Sequence, residues 1–90
     1  MDGGRTPLNG QTRPLPEMTR EEISEPGTYV DIATGALYRV PAGALHKRVS
    51  ATIWKETDDG SQFVQVSRNP YILSLETRII CAAHDIRFDF

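Results

Sequence analysis

The pair of side chains best suited to nucleophilic chemistry in this 90-residue chain is Cys81 with His84. A nucleophilic cysteine needs a thiol pKa lowered by a neighbouring histidine or by a helix N-terminus. The helix predicted around these residues places Cys81 two turns from its N-terminus, with His84 three residues further on. A small cysteine between Ile80 and Ala82 is also a common core residue, so the pattern favours inert packing.

Metal binding and acid–base catalysis find little support in the spacing of the polar residues. His46, Cys81 and His84 are scattered along the chain and do not form a recognisable set of zinc ligands. Asp58 and Asp59 belong to a glycine-containing turn, where aspartate is favoured for its local hydrogen bonding. The chain carries no glycine-rich phosphate loop and no nucleophile elbow. We therefore expect no enzyme activity, no cofactor and no metal.

Composition divides the chain into two parts. Residues 1–25 hold few large apolar side chains, whereas residues 26–90 hold all seven aromatic residues. We predict a flexible, mostly disordered tail over 1–25 and a single small α+β domain over 26–90. In the tail, Thr19 and Glu22 match a capping box that would start a short docking helix, although a solvated linker fits the composition better. A domain of about 65 residues has a marginal core, so self-association would stabilise it.

Charge and cysteine content bear on compartment and partner. The single cysteine cannot form an internal disulfide, which is typical of an intracellular protein. The N-terminus lacks the apolar run of a signal peptide, and no stretch approaches the roughly 20 apolar residues of a membrane span. We expect a cytoplasmic protein without membrane contact. Residues 26–90 carry seven basic and seven acidic side chains, whereas a dedicated nucleic-acid binder usually shows a basic excess.

Two hairpins are predicted from runs of β-branched and aromatic residues. The first joins residues 29–32 to residues 37–40 through a turn at Gly35, which can supply a positive φ. The second has its turn at residues 58–61, and in it Thr57 pairs with Gln62. That register places Trp54 and Phe63 on one face of the sheet and aliphatic side chains on the other: Ile53, Val64 and Val66.

The C-terminal part predicts one helix and one strand. Ser74 is a suitable N-cap for a helix over Leu75–His84. The spacing of four residues predicts its buried face: Leu75, Ile79, Ala82 and Ile86. Residues 86–90 alternate between apolar and polar and predict a final strand. The fold class is thus α+β, of order β-β-β-β-α-β, with a small antiparallel sheet and the helix packed on one face.

Two features favour a protein partner over other ligands. Strands with apolar side chains on both faces must be covered on both sides or must meet a partner. An apolar C-terminal strand at a sheet edge also suits β-augmentation or pairing in a dimer. Our first interpretation is a small interaction or regulatory module that forms a homodimer and lacks catalytic activity. Its candidate contact residues are aromatic: Trp54, Phe63, Phe88 and Phe90. An ordinary monomer core remains open as the simpler interpretation.

The alternative interpretation is a nucleic-acid-associated regulator. Its candidate contacts are the basic residues of one strand end and the following loop: Arg39, His46, Lys47 and Arg48. The neutral charge of residues 26–90 weighs against it. Salt dependence separates the two interpretations, because contacts to phosphate weaken steeply as salt rises.

Overall fold

The structure, a computed structural model, describes residues 14–46, 57 and 60–90. These residues form a four-stranded antiparallel sheet and two helices. In chain order the elements are β1 (Glu17–Thr19), a 3₁₀ helix (Arg20–Glu22), β2 (Gly27–Asp31), β3 (Leu37–Val40), α1 (Ala42–His46), β4 (Gln62–Ser67) and α2 (Ser74–Ala83). The strand order across the sheet is β1-β4-β2-β3. The predicted α+β class is confirmed. None of the helices in the described ranges is long and apolar enough to cross a membrane.

The first predicted hairpin is confirmed as β2 and β3. Val30 lies opposite Leu37 in an antiparallel register. Gly35 has φ 77° and donates its N–H to the Asp31 carbonyl at 2.7 Å. The Asp31 carboxylate accepts the N–H of Ala33 at 2.8 Å. A glycine with positive φ and an aspartate that binds the backbone of its own turn explain why this hairpin can be predicted from the sequence.

Residues before the predicted boundary at residue 26 belong to the fold. β1 lies within the predicted tail and places Thr19 opposite Gln62 of β4. Ile23, from the same stretch, is fully buried. The predicted capping box is present, since the Glu22 carboxylate accepts the N–H of Thr19 at 2.8 Å and its hydroxyl at 3.1 Å. It starts only the short 3₁₀ helix, because Pro26 and Gly27 follow closely. Residues 1–13 lie outside the described ranges.

The second predicted hairpin has the wrong partner for β4. β4 lies between β1 and β2, so Gln62 is opposite Thr19 and not Thr57. Thr57 instead accepts hydrogen bonds from the Arg20 guanidinium, at 3.0 Å on its carbonyl and 2.9 Å on its hydroxyl. The turn residues near Gly60 predicted a pairing between neighbouring segments. The strand that takes this place beside β4 is β1, a polar segment within the predicted tail. Residues 49–56 lie outside the described ranges.

The sheet carries an apolar cluster on each face. One cluster is formed by four fully buried residues: Ile23, Tyr29, Val40 and Phe63. The other joins β2 and β4 to α2 through four buried residues: Val30, Val64, Val66 and Cys81. The predicted alternation along β4 is confirmed, because Phe63 belongs to the first cluster and Val64 and Val66 to the second.

Helix α2 begins one residue earlier than predicted and ends in a defined C-cap. Leu73 occupies the N-cap position, and Ser74 is already helical. At the other end Asp85 has φ 57°, and the Ile86 N–H donates to the Cys81 carbonyl at 2.8 Å. With the bond from the Asp85 N–H to the Ala82 carbonyl at 3.3 Å, these contacts form a Schellman motif. The chain therefore leaves α2 through a sharp turn.

The buried face of α2 is not the one we predicted. Thr77 and Cys81 are its fully buried residues. Leu75 and Ile79, on the predicted face, are exposed to solvent, and so is Ala82. Periodicity detects an apolar stripe but does not show which stripe meets the sheet when a helix carries two. Thr77 and Cys81 are small, so their side lets the helix approach the sheet closely.

The predicted C-terminal strand is not formed. Residues 86–90 contact the sheet by one backbone hydrogen bond, from the Asp89 N–H to the Gly35 carbonyl at 2.8 Å. Side chains hold the rest of the segment, since Arg87 donates to the Ala33 carbonyl and Arg78 donates to the Phe90 carbonyl. After the turn that ends α2, residues 86–90 cross the β2–β3 turn and do not run beside a strand. Their alternating pattern is therefore not accompanied by strand pairing.

Tyr29 makes the stability of the sheet sensitive to alkaline pH. Its ring is fully buried, and its hydroxyl donates to the Glu25 carbonyl at 2.8 Å. Burial, with a smaller contribution from the Glu25 carboxylate, raises the pKa of Tyr29 to about 12. In the unfolded chain the pKa of tyrosine is about 10. The stabilisation is therefore complete below pH 10 and declines as pH rises from about 10 towards 12, because the unfolded state ionises first.

We expect Tyr29→Phe to remove this alkaline sensitivity. The variant should lose about 1 kcal/mol at neutral pH, from the hydrogen bond to Glu25. Between about pH 9 and about pH 11, its urea midpoint should fall less than that of the wild type. Urea unfolding at several pH values measures both effects. If the urea midpoint falls equally with pH in the two proteins, another group causes the loss of stability at alkaline pH.

Candidate protein-binding surface

Phe63 is not available to a partner. It is fully buried in the core, with its ring edge-on to Tyr38 at 5.3 Å between centroids. This corrects our prediction that Phe63 is a contact residue. The cause is the position of β4 inside the sheet, where the face of Phe63 is covered by Ile23 and by residues that pack from α1. Trp54, the other predicted strand aromatic, lies outside the described residues.

Phe88 and Phe90 are the two predicted contact residues that the structure brings together. Their ring centroids are 5.6 Å apart. Phe90 is half-buried beneath the Arg78 guanidinium, which lies 6.0 Å from the ring centroid. Phe88 is exposed. The C-terminal segment thus uses Phe90 as an anchor and presents Phe88 to solvent.

The basic residues of the nucleic-acid alternative are not gathered into one surface by the described chain. Arg39 is occupied within the fold, since its guanidinium donates to the carbonyls of Pro70 and Ile72 and lies 3.4 Å from the Ser74 hydroxyl. His46 is exposed at the end of α1. Lys47 and Arg48 lie outside the described residues. The one well-placed member of the set therefore ties β3 to the start of α2.

Cys81 lies in an environment that opposes nucleophilic chemistry. It is a free thiol, fully buried against Val64 and Val66. Burial raises the pKa of Cys81, because a thiolate would lose its hydration. A reactive cysteine needs the opposite shift. Within the described ranges, no three His, Cys, Asp or Glu side chains are grouped to hold a metal ion.

An exposed apolar surface lies on and around α2. Six large apolar side chains are exposed in the described part of the chain, and five of them fall between residues 71 and 88. We call these five residues the α2 surface: Tyr71 (70% exposed), Leu73 (71%), Leu75 (64%), Ile79 (61%) and Phe88 (40%). Single exposed apolar residues are normal on a protein surface, whereas a contiguous apolar patch is typical of a contact site.

Two sets of hydrogen bonds attach part of the α2 surface to the β2–β3 hairpin. Arg39 of β3 binds the carbonyls that flank Tyr71, namely those of Pro70 and Ile72. The Asp89 N–H binds the Gly35 carbonyl in the turn before β3 and so fixes the neighbouring Phe88. Tyr71 and Leu73 therefore belong to a segment attached to β3, and Phe88 to one attached to the turn before it.

The outer edge of β3 is open within the described structure. The bond from the Asp31 N–H to the Ala36 carbonyl at 2.9 Å fixes which residues pair in the hairpin. In the observed register the backbones of Tyr38 and Val40 point to β2, and those of Leu37 and Arg39 point away. β3 is the last strand of the sheet. No described residue pairs with the outward N–H and C=O groups of Leu37 and Arg39.

The other edge of the sheet is shorter and partly protected. β1 has only three residues, and Pro14 and Pro16 precede it without an N–H to offer. The outward N–H of Thr19 is bound by the Glu22 carboxylate at 2.8 Å. Short strands, prolines and side-chain caps are the usual means of closing a sheet edge. Among the described residues, β1 leaves only the outward N–H and C=O of Glu17 without a partner, whereas β3 offers these groups from two residues, Leu37 and Arg39.

A separate groove of about 600 Å³ lies between residues 14–17 and the end of α2. Aliphatic side chains line much of it: Leu15, Ile32, Val64 and Ile86. Charged or polar side chains also line it: Glu17, His84, Asp85 and Arg87. The residues of the α2 surface do not line this groove, so it is a distinct feature of the molecule.

Four residues of the α2 surface were missed as contact residues: Tyr71, Leu73, Leu75 and Ile79. A signal for them was present, because α2 is apolar on two sides. The stripe of Leu75 and Ile79 lies opposite the stripe of Thr77 and Cys81, and a one-layer core can cover only one of them.

A scan against family models, curated proteins and solved structures finds no match to this chain.

Proposed function

We propose that this protein is a protein–protein interaction module that binds its partner through the α2 surface. The observation that carries the proposal is the exposure of Leu75 and Ile79 on a helix whose opposite side packs on the sheet. Burying a leucine or isoleucine side chain contributes roughly 1.5–3 kcal/mol. A partner that covers these two residues and Tyr71 therefore gains several kcal/mol that the monomer leaves unused.

The charges around the α2 surface indicate what kind of partner it fits. Glu76 and Arg78 flank the apolar stripe, so the helix carries one charge of each sign beside Leu75 and Ile79. Such a border gives no strong field to attract an anion such as nucleic acid. The contact chemistry is apolar, and the partner is expected to present an apolar patch of its own. Binding should change little between low and high salt.

We expect the double substitution Leu75→Lys with Ile79→Lys to abolish partner binding without unfolding the protein. Both side chains are exposed, and lysine is a good helix former. Loss of two apolar contacts should weaken binding by at least about a hundredfold. The measurement compares what tagged full-length wild type and variant capture from a native lysate, with and without nuclease. The free energies of unfolding of the two proteins in urea should agree within about 0.5 kcal/mol.

The matched control is Ile32→Lys. Ile32 is the one exposed large apolar residue among those described that lies outside the α2 surface, and it is 37% exposed. This control makes the same chemical change at another place, so it should keep binding. Loss of binding in Ile32→Lys alone would move the contact to the groove that Ile32 lines. Capture that disappears with nuclease would favour the nucleic-acid alternative and contradict the proposal.

A further inference from the structure

The open edge of β3 is complementary to itself. It offers two outward residues, Leu37 and Arg39, each with one N–H donor and one C=O acceptor. An antiparallel copy of the same edge, related by a two-fold axis at Tyr38, places Leu37 opposite Arg39 of the second copy. Both residues of such a pair exchange hydrogen bonds in an antiparallel ladder. All the donors and acceptors of the open edge would be used, in four hydrogen bonds.

We propose that a second copy of this chain pairs with β3 in this register, beside the segment that carries Tyr71 and Leu73. The inference goes beyond the proposed function, because Leu75 and Ile79 face away from the sheet and remain exposed in such a pair. The two sheets then become one continuous sheet, with both α2 helices on the same face, because the two-fold axis of an antiparallel pair is perpendicular to the sheet.

The ends of the paired edge support this register. Its next pair would set Gly35 against Pro41 of the second copy. The Gly35 carbonyl already accepts the Asp89 N–H, and the Gly35 N–H is bound to Asp31. Pro41 has no N–H, and its carbonyl accepts the Ala44 N–H at 3.0 Å. Each backbone group beyond Leu37 and Arg39 is therefore satisfied within its own chain, and the intermolecular ladder ends without an unpaired group.

Charge is also compatible with a two-fold pair. In this register Arg39 faces the apolar Leu37 of the second copy and not another arginine. Its guanidinium is already held by the carbonyls of Pro70 and Ile72. The pairing therefore brings no like charges together at the strand edge.

The size of the surface favours a second copy over an extended peptide. A two-residue edge gives a peptide little to bind, and a stable interface buries roughly 800 Å² on each partner. Tyr71, 70% exposed, presents on the order of 150 Å², and Leu73 lies in the same segment beside β3. The symmetric pair places these apolar side chains from both copies along one seam. We expect a dimer at the small end of stable interfaces, with Kd on the order of micromolar.

Amide hydrogen exchange of the full chain tests the pairing directly. The amide protons of Leu37 and Arg39 should exchange quickly in dilute protein and become at least about tenfold more protected over a roughly hundredfold rise in concentration. The amides of Tyr38 and Val40, which bond to β2 in each copy, are the internal control and should be protected throughout. Sedimentation of the same samples reports the dimer independently.

A cysteine at the axis tests the register. Tyr38 would lie opposite Tyr38 of the second copy, in a non-hydrogen-bonded pair whose Cα atoms are about 4.5 Å apart. Tyr38→Cys should therefore form an intermolecular disulfide under mild oxidation, since this spacing suits the bond. Leu37→Cys should not, because Leu37 lies opposite Arg39 of the second copy, two residues away from that copy's Leu37. Equal cross-linking of both variants would overturn the register.

The outcomes separate the two proposals. A dimer that is lost in the Leu75→Lys, Ile79→Lys protein but leaves Leu37 and Arg39 unprotected would overturn strand pairing and support the α2 surface. A chain that stays monomeric while its α2 surface captures a different protein would overturn the second copy as partner. Concentration-dependent protection of Leu37 and Arg39, with Tyr38 and Val40 unchanged, is the result that supports this inference.

Discussion

Gly35→Ala is expected to lower the unfolding free energy by about 3 kcal/mol or more. Gly35 has φ 77°, which an alanine adopts only with strain. A Cβ at this position would also lie 2.8 Å from the Asp89 nitrogen and 2.9 Å from the Phe88 Cα. These are backbone atoms, so neither can rotate away. The variant must open the β2–β3 turn or release the C-terminal segment, and urea unfolding measures the loss.

Gly43→Ala is the matched control for this prediction. Gly43 lies inside α1, and a Cβ there would meet no atom within 4 Å. Alanine is the better helix former, so we expect a gain of about 0.5–1 kcal/mol. The same substitution should thus have opposite signs at the two glycines. A small loss at Gly35 would mean that the turn and the C-terminal segment relax independently, contrary to the contacts seen in the structure.

The parts of the fold that could be predicted have local causes. The β2–β3 hairpin follows from a turn in which Gly35 takes a positive φ and Asp31 binds its own turn. The alternation along β4 follows from the two-residue period of a strand. The start and end of α2 were correct within one residue, because its apolar run is bounded by Pro70 and by the turn at Asp85. Each of these signals is contained within a few neighbouring residues.

The parts that could not be predicted depend on distant contacts. β1 is a polar segment that gains its structure by pairing with β4, more than 40 residues away in sequence. Its position between solvent and β4 displaced the predicted pairing of Thr57 with Gln62. Residues 86–90 have the alternation of a strand, but only Asp89 makes a backbone hydrogen bond to the β2–β3 hairpin, at Gly35. No local pattern distinguishes a strand from a segment that crosses a turn.

The candidate site was only partly legible for a related reason. Phe88 was predicted as a contact residue and is exposed, whereas Phe63 was predicted and is buried. The sequence shows that Leu75 and Ile79 share a helix face, but it does not show that Thr77 and Cys81 meet the sheet instead. The side of a helix that remains exposed is decided by which stripe fits the sheet more closely, and that is a property of packing.

A single side chain connects the sheet edge to the apolar surface in both proposals. Arg39 lies on the open strand, and its guanidinium binds the segment that carries Tyr71. If the α2 surface and the β3 edge act together, this connection keeps them in one geometry. Arg39 was also a candidate phosphate contact in the nucleic-acid alternative. Substituting it therefore distinguishes a structural role from a role in binding a ligand.

Arg39→Met is expected to lower the unfolding free energy by about 2–3 kcal/mol, because it leaves the Pro70 and Ile72 carbonyls without a charged donor. Methionine keeps an apolar stem of similar reach, so lost packing contributes little. Arg39→Lys should recover only part of the loss, since an ammonium does not match the fork of a guanidinium. Urea unfolding at low and high salt measures both variants. If Arg39→Met keeps the stability of the wild type but binds nucleic acid more weakly, Arg39 is instead a phosphate contact.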